Sequence, residues 1–321
     1  MTLRIFILLS SFLFNTLSFS ADKPSIRLGV LAFGTSNWEL AALEQQKLLE
    51  NADFKLEVHK VANPQAGKIA LQGGAVDMIV TDWIWVSRMR ATGANYSFYP
   101  YSSASGALIA AQDSGIKQLS DLCGKRLGIG GDELDKNWLL LQALSAKSSC
   151  NLNTQVEKSF GAPPLLNQQL LEKHVDAVLN FWQYAAQLEG EGYPQILSGA
   201  EILEGLGVDR NMPNLGYVFN RDWAEKNAAV LKQFIHLTEQ ARQKMCTDES
   251  AWQSIVPLLN TTNAKTQGLL RDRYCAGGIK SWGPEQVKHA DKIYSLLRQV
   301  SATKLTGAAT NIAPETFWFI N

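Results

Sequence analysis

The sequence predicts a two-lobed α/β protein, because its strand-and-loop grammar is written twice. Val76-Asp77-Met78-Ile79-Val80-Thr81-Asp82-Trp83-Ile84-Trp85 is answered by Val175-Asp176-Ala177-Val178-Leu179-Asn180-Phe181-Trp182-Gln183-Tyr184. In both, an acidic residue opens an apolar run short enough for a buried strand, a polar residue closes it, and aromatics begin a helix. Upstream, Arg27-Leu28-Gly29-Val30 is echoed by Arg126-Leu127-Gly128-Ile129, and Asn37-Trp38 by Asn137-Trp138. Arg27 precedes Asp77 by 50 residues, and Arg126 precedes Asp176 by the same 50. Each unit therefore reads strand, polar loop, helix, further elements, strand, polar loop, helix, the syntax of a parallel α/β layer. In open α/β sheets ligands sit beyond the carboxyl ends of the strands. The loops after these four strands are expected to face one another across a cleft.

Composition sets the bounds. Residues 1–20 carry an early Arg4, an apolar run and small residues ahead of Ala21, the pattern of a cleaved secretory signal peptide. About 300 residues follow, enough for two modest cores. With 30 acidic and 30 basic residues, no global field recruits nucleic acid or an anionic membrane. Four cysteines fit an oxidising compartment. Three pairings are open, and Cys123 with Cys150 and Cys246 with Cys275 are favoured because each pair falls within one structural unit. Each bridge would constrain the unfolded chain by roughly 3 kcal/mol. No CxxC or histidine cluster supports a metal, and no cofactor is expected.

In chain order, Ile26 to Phe33 reads as the first strand, and Gly34-Thr35-Ser36-Asn37 as a turn and helix start before the helix from Trp38 to Glu50. Thr35, Ser36, Asn37 and Trp38 are the first candidate binding residues, since free helix amides and hydroxyls there hold polar ligand atoms. Phe54 to Val61 is a second strand and Gln65 to Leu71 a short helix. The strand from Asp77 to Val80 delivers Thr81, Asp82 and Trp83. Ser102 to Gly106, with Ser103 and Ser105, is small and polar, and suits a crossing between lobes. In the second unit Ile116 to Leu122 reads as a short helix, and Leu127 to Gly130 as a strand leading to Gly131, Asp132 and Glu133. A helix then runs from Trp138 to Lys147. Thr154 to Glu157 is a weak strand, and Pro163 opens a helix to Lys173. Val175 to Leu179 delivers Asn180 and Trp182. Gln195 to Leu197 is a short strand, Gly199 to Asn214 shows no pattern, and Gly216 to Asn220 reads as the return crossing. Arg221 to Lys244, Glu249 to Leu259, Lys265 to Tyr274 and Pro284 to Val300 are helical by period and are expected to complete the first lobe.

Gly67 to Asp82, Asp113-Ser114-Gly115-Ile116-Lys117 with Leu119 and Asp121-Leu122, Gly124-Lys125, and Val175-Asp176-Ala177 with Trp182 and Tyr184 resemble the periplasmic solute-binding proteins of nitrate, sulfonate and taurine importers and their thiamine-pyrimidine relatives. The resemblance implies a type II periplasmic-binding-protein fold, two α/β lobes joined by a two-crossing hinge. It implies lobe one over 21–105 and 215–321, lobe two over 106–214, and a monomer in the periplasm that delivers solute to an inner-membrane ABC permease. Some relatives make the thiamine pyrimidine with a cysteine-rich motif and an essential histidine. Here the cysteines are dispersed and His59, His174, His236 and His289 lie in no such setting, so binding without catalysis is expected.

Other function classes find little footing. Neither a GxGxxG fingerprint nor Walker A follows a strand, and neither GxSxG nor HExxH occurs. A sensory role would leave the same sequence. Trp38, Trp83, Trp138, Trp182, Phe181 and Tyr184 offer ring faces, while Glu39, Asp82, Asp132, Glu133 and Asp135 lie in or beside the same loops. Arginine is missing from them. The balance points to a nitrogenous heteroaromatic or amine solute, with an alkanesulfonate as the alternative, since helix amides bind anions without a cation.

Overall fold

A computed structural model of the chain describes residues 23–320, and the expected signal peptide lies outside them. One five-stranded sheet holds Ser25–Leu31 (β1), Lys55–Val61 (β2), Met78–Thr81 (β3), Tyr96–Ser102 (β4) and, much later, Leu215–Asn220 (β10), in the order β2-β1-β3-β10-β4. The other holds Ala107–Ala110 (β5), Arg126–Gly130 (β6), Glu157–Gly161 (β7), Ala177–Asn180 (β8) and Gln195–Ser198 (β9), in the order β7-β6-β8-β5-β9. Helices Ser36–Gln45 (α1), Pro64–Gln72 (α2) and Trp83–Arg90 (α3) connect the first set. Lys136–Ser145 (α4), Leu152–Gln155 (α5), Pro163–Leu171 (α6), Trp182–Gly190 (α7) and Gly199–Gly205 (α8) connect the second. The remainder is helical: Arg221–Lys226 (α9), Ala228–Thr247 (α10), Glu249–Gln253 (α11), Ala264–Ala276 (α12) and Pro284–Val300 (α13). No helix among the described residues is long and apolar enough to cross a membrane.

The duplicated Arg and Asp are duplicated braces. The Arg27 guanidinium meets Asp77 at 2.6 Å, and the Arg27 amide donates to the same carboxylate at 2.9 Å. Arg126 and Asp176 repeat this at 2.7 and 2.8 Å. Each aspartate returns its own amide to the arginine carbonyl, at 2.8 and 2.9 Å. The brace thus pins the start of β1 to that of β3, and of β6 to that of β8, as parallel neighbours. Charge-assisted pairs with this bidentate geometry are the stronger kind.

The sheets are mixed where parallel layers were expected. β10 runs antiparallel to β3 and β4, and β5 antiparallel to β8 and β9. The reason is the route: β1, β3 and β4 run toward the crossings, so β5 and β10, which leave the crossings, must run back. Gly216 to Asn220 is accordingly not a crossing but part of the strand inside the first sheet. The return crossing lies just before it, where the Asn214 amide donates to Ser102 O at 2.8 Å and its side chain to Ala104 O at 3.1 Å.

Several local readings change. Leu119–Leu122 is only a 3₁₀ turn, with Asp121 accepting from the Lys117 and Gln118 amides. The weak strand at Thr154 gives way to α5, capped by Asn151, with β7 following at Glu157. Glu249 to Leu259 breaks after Gln253 into a 3₁₀ turn that contains Pro257. The C-terminal helices do more than complete lobe one. α10 packs on α1, but α12 lies on α7 and α13 on α4, both connectors of the second sheet. Gly190 of α7 makes the first of these contacts possible, since a Cβ there would collide with Thr266. Arg273 and Glu189 pair across it at 2.5 Å. Both favoured disulfides form, Cys123–Cys150 and Cys246–Cys275, each with Cα atoms 5.7 Å apart.

The Asp176 carboxyl is held below the usual carboxylate range by the Arg126 hydrogen bond, against some burial. A depressed carboxylate contributes stability above its unfolded pKa and loses it as pH falls through the folded value. Asp176→Ala is therefore expected to cost about 1–2 kcal/mol in urea unfolding at neutral pH. The deficit should shrink below about pH 4, and a deficit independent of pH would show that the brace acts through shape alone.

Candidate functional site

The ends of β1, β3, β6 and β8 deliver four helix starts to the seam between the sheets. Two of these starts are sealed by their own carboxylates. Asp82 accepts from the Trp85 amide at 2.9 Å at the head of α3. Asp135 accepts from the Asn137 and Trp138 amides at 2.9 and 3.2 Å at the head of α4. The other two, at α1 and α7, have no side-chain cap. They meet directly: Trp38, in the first turn of α1, stands edge-on to Trp182, the first residue of α7, with ring centroids 5.7 Å apart. Trp38 also packs on Trp252 and Tyr274, which fixes its side of the contact while Trp182 stays half-exposed.

A second contact at the seam ties Lys136 to the return crossing. Its ammonium donates to Asn214 O at 2.8 Å. It lines a cavity of about 30 Å³ together with Trp83, Ser105 and Asn137, room for about two waters. Burial raises the Asp82 carboxyl, but the charges of Lys136 and Lys68 and the Trp85 and Ile84 amides outweigh it and hold Asp82 below the usual range. Burial in turn lowers Lys136, against the pull of Asp82 and Asp135. Gly106 keeps the crossing tight, since a Cβ there would lie 2.5 Å from Asn180 O, and its amide donates to the Asn137 side chain at 3.3 Å.

The residues expected at the site divide into three groups. Trp38, Trp182, Asp82, Trp83 and Ser105 lie at or beside the seam contacts, with Thr35 and Ser36 half-buried at the α1 start. Trp83 is buried and donates to Pro213 O at 3.2 Å. A second group spends its polar atoms on the fold. Asn37 closes the turn before α1 by donating to Leu31 O and Gly34 O. Thr81 is buried at the end of β3, and Ser103 donates to Gly277 O. Asn180 is 1% exposed, donates to Pro163 O and Asn167, and accepts from the Phe181 amide. The third group, Gly131, Asp132 and Glu133, is exposed. Gly131 takes φ +101°, Asp132 accepts from the Leu134 amide, and Glu133 lines a different hollow with Trp138, Phe160 and Lys304.

Lys136 and Asn214 carry no signal of their own in the sequence, Lys136 being the first residue of α4, just past the candidate residues Gly131, Asp132 and Glu133. Trp83 and Trp85, two residues apart on α3, face different ways. Trp83 lines the small cavity, and Trp85 stacks on Tyr96 at 5.4 Å.

Residues 44–250, well over half of the chain, match the family described as NMT1/THI5 like. The chain belongs to this family. Comparison with curated protein sequences finds no match. Among solved structures, the alkanesulfonate-binding protein SsuA from Xanthomonas axonopodis pv. citri, bound to MOPS, superposes with a TM-score of 0.71 at 16% identity, covering 93% of this chain and 99% of that one. The periplasmic aliphatic sulphonate binding protein SsuA from Escherichia coli gives 0.68 at 19% identity, with 92% of each chain covered. The ligand-binding component of an ABC-type import system from Staphylococcus aureus, with zinc bound, gives 0.66 at 15% identity, covering 92% and 96%. The fold is that of these binding proteins.

Burial pushes the Asp135 carboxyl up to about 6, despite the amides it caps. A raised carboxyl contributes stability below its unfolded pKa and loses it as pH rises through the folded value, here between about 4 and 6. Asparagine caps equally well without the charge. Asp135→Asn should therefore gain in melting temperature relative to the parent between about pH 4 and about pH 7, and a constant difference across that range would sink this account.

Proposed function

We propose that the protein is the solute-binding component of an ABC importer, working in the periplasm and handing a small organic solute to an inner-membrane permease. The observation that carries this reading is the meeting of Trp38 and Trp182, which brings the uncapped starts of α1 and α7 together from opposite sheets. A solute held there touches both lobes, so its binding favours the closed arrangement over the open one. Two disulfides support an oxidising compartment, and the family membership and import-system neighbours support the transport role. The seam is suited to holding rather than turning over its solute, because Asp82, Asp135 and Asn180 already serve as helix caps and internal hydrogen-bond partners.

The solute class follows from which charges are left. The carboxylates that favoured an amine are spent: Asp82 and Asp135 on helix starts, Glu39 on Arg242. Two uncapped helix starts carry partial positive charge, and Lys136 adds a cation at the same seam. This favours an anionic head group with an apolar tail against the tryptophans, the alkanesulfonate class. A neutral nitrogenous heteroaromatic is the second reading, favoured by the Trp38–Trp182 ring pair.

Native mass spectrometry of protein purified from periplasm should show a small adduct, and calorimetry with ethanesulfonate and with an aminopyrimidine then separates the two classes. Trp182→Ala and Lys136→Met should each weaken the bound class by about tenfold or more, while Glu133→Ala leaves it unchanged. Equal affinity in all three variants would move the site away from the seam.

A further inference from the structure

A sizeable cavity lies away from the seam. It encloses about 510 Å³ between β4, β10, α10, the segment 278–282 and the tail residues Phe319 and Ile320, with no wall from residues 106–214. That volume falls in the range of roughly 300–1,000 Å³ typical of small-molecule sites.

One side of this cavity is a buried ion pair with its hydrogen bonding nearly complete. Arg242 grips Glu39 through Nε at 2.8 Å and Nη2 at 2.6 Å. Tyr274 donates to the same carboxylate at 2.7 Å and Tyr217 at 3.4 Å. The guanidinium lies over the rings of Tyr101 and Tyr274, at 4.6 and 4.9 Å. Glu39 is thereby saturated, but Arg242 is not: its Nη1 finds no partner on the protein. The Trp282 Nε1 is in the same condition. Two residues of the cavity lining, Arg242 and Trp282, thus hold donor groups that the chain leaves unsatisfied, which is costly in a native fold and points to an acceptor from outside.

The rest of the lining says what carries that acceptor. Trp282 and Phe319 are stacked with centroids 6.2 Å apart, and Tyr99 and Tyr101 add further ring surface. The charges balance, Glu39 against Arg242 and Glu239 against Lys280. A ligand anion would meet two carboxylates and a cation would meet Arg242 and Lys280, so a neutral ligand fits best.

We propose that this cavity is a second binding site, separate from the seam, for a small neutral aromatic molecule carrying a carbonyl or amide oxygen that accepts from Arg242 and Trp282. Benzamide serves as the probe, with benzoate and benzylamine as charged controls of equal size. Calorimetric titration of the full mature protein should show saturable benzamide binding at about 1 mM or tighter, about tenfold stronger than either control. Trp282→Phe, which keeps a ring and removes the N–H, should weaken it about fivefold, and Gln243→Trp, placed to fill the cavity mouth, should abolish it. The seam variants Trp182→Ala and Lys136→Met should leave it unchanged, which separates this site from the solute site proposed above. Far-ultraviolet circular dichroism checks that each variant folds, and Trp282→Phe remains decisive if Gln243→Trp does not. No saturable binding up to about 10 mM, equal binding of the three probes, or loss in the seam variants alone would overturn the proposal.

Discussion

The structure depends first on a single interaction made twice, an arginine at the start of one strand clasping an aspartate at the start of its parallel neighbour. Parallel strands lack the short hairpin that sets register between antiparallel ones, so some other contact must fix how far one slides along the other. Arg27–Asp77 and Arg126–Asp176 do this from side chain and backbone together. Once β1 and β3 are aligned, their far ends deliver Thr35 and Asp82 to one level, and β6 and β8 do the same for Asp135 and Phe181. A slip of one residue at the brace would turn every inward side chain outward.

The second constraint is the way the C-terminal third is laid over both lobes. α10 holds α1 from behind, and the Cys246–Cys275 disulfide ties α10 to α12. α12 and α13 then reach the second sheet's connectors. The tail finishes the job on the opposite edge, where the Phe98 amide of β4 donates to Thr316 O and Phe98 O accepts from the Trp318 amide, both at 2.8 Å. This covers β4, which would otherwise be an open edge strand. The first lobe is therefore finished by residues far from it in sequence, and the lobes share more surface than two crossings alone would give.

The repeat was legible because strand-and-loop grammar is local: an apolar run, a polar stop and an aromatic helix start carry their meaning within ten residues. The seam loops could be placed from that alone, and the cysteine pairs from proximity within each unit. The direction of β5 and β10 could not, since Ala107 to Ala110 and Gly216 to Phe219 read the same forward or backward, and only the route through the crossings decides it. α8 was legible in principle, because Ser198 and Glu201 form a capping box, but a short helix among glycines gives little periodicity. What polar residues do was least legible of all. Asn180 sits where a ligand residue was expected, yet satisfies its own strand end, and Glu39 turns from the seam to a partner 203 residues away, Arg242. Pairing over such separation leaves no trace in spacing.

The contact between Gly190 and Thr266 has a mechanical meaning. With no side chain between them, the backbone of α7 rests on α12 like a door on its stop. Lateral travel would drive Thr266 into the main chain, because protein interiors have little compressible space. How closely α7 and α12 approach at this point is set by one hydrogen atom's width on the surface of a glycine.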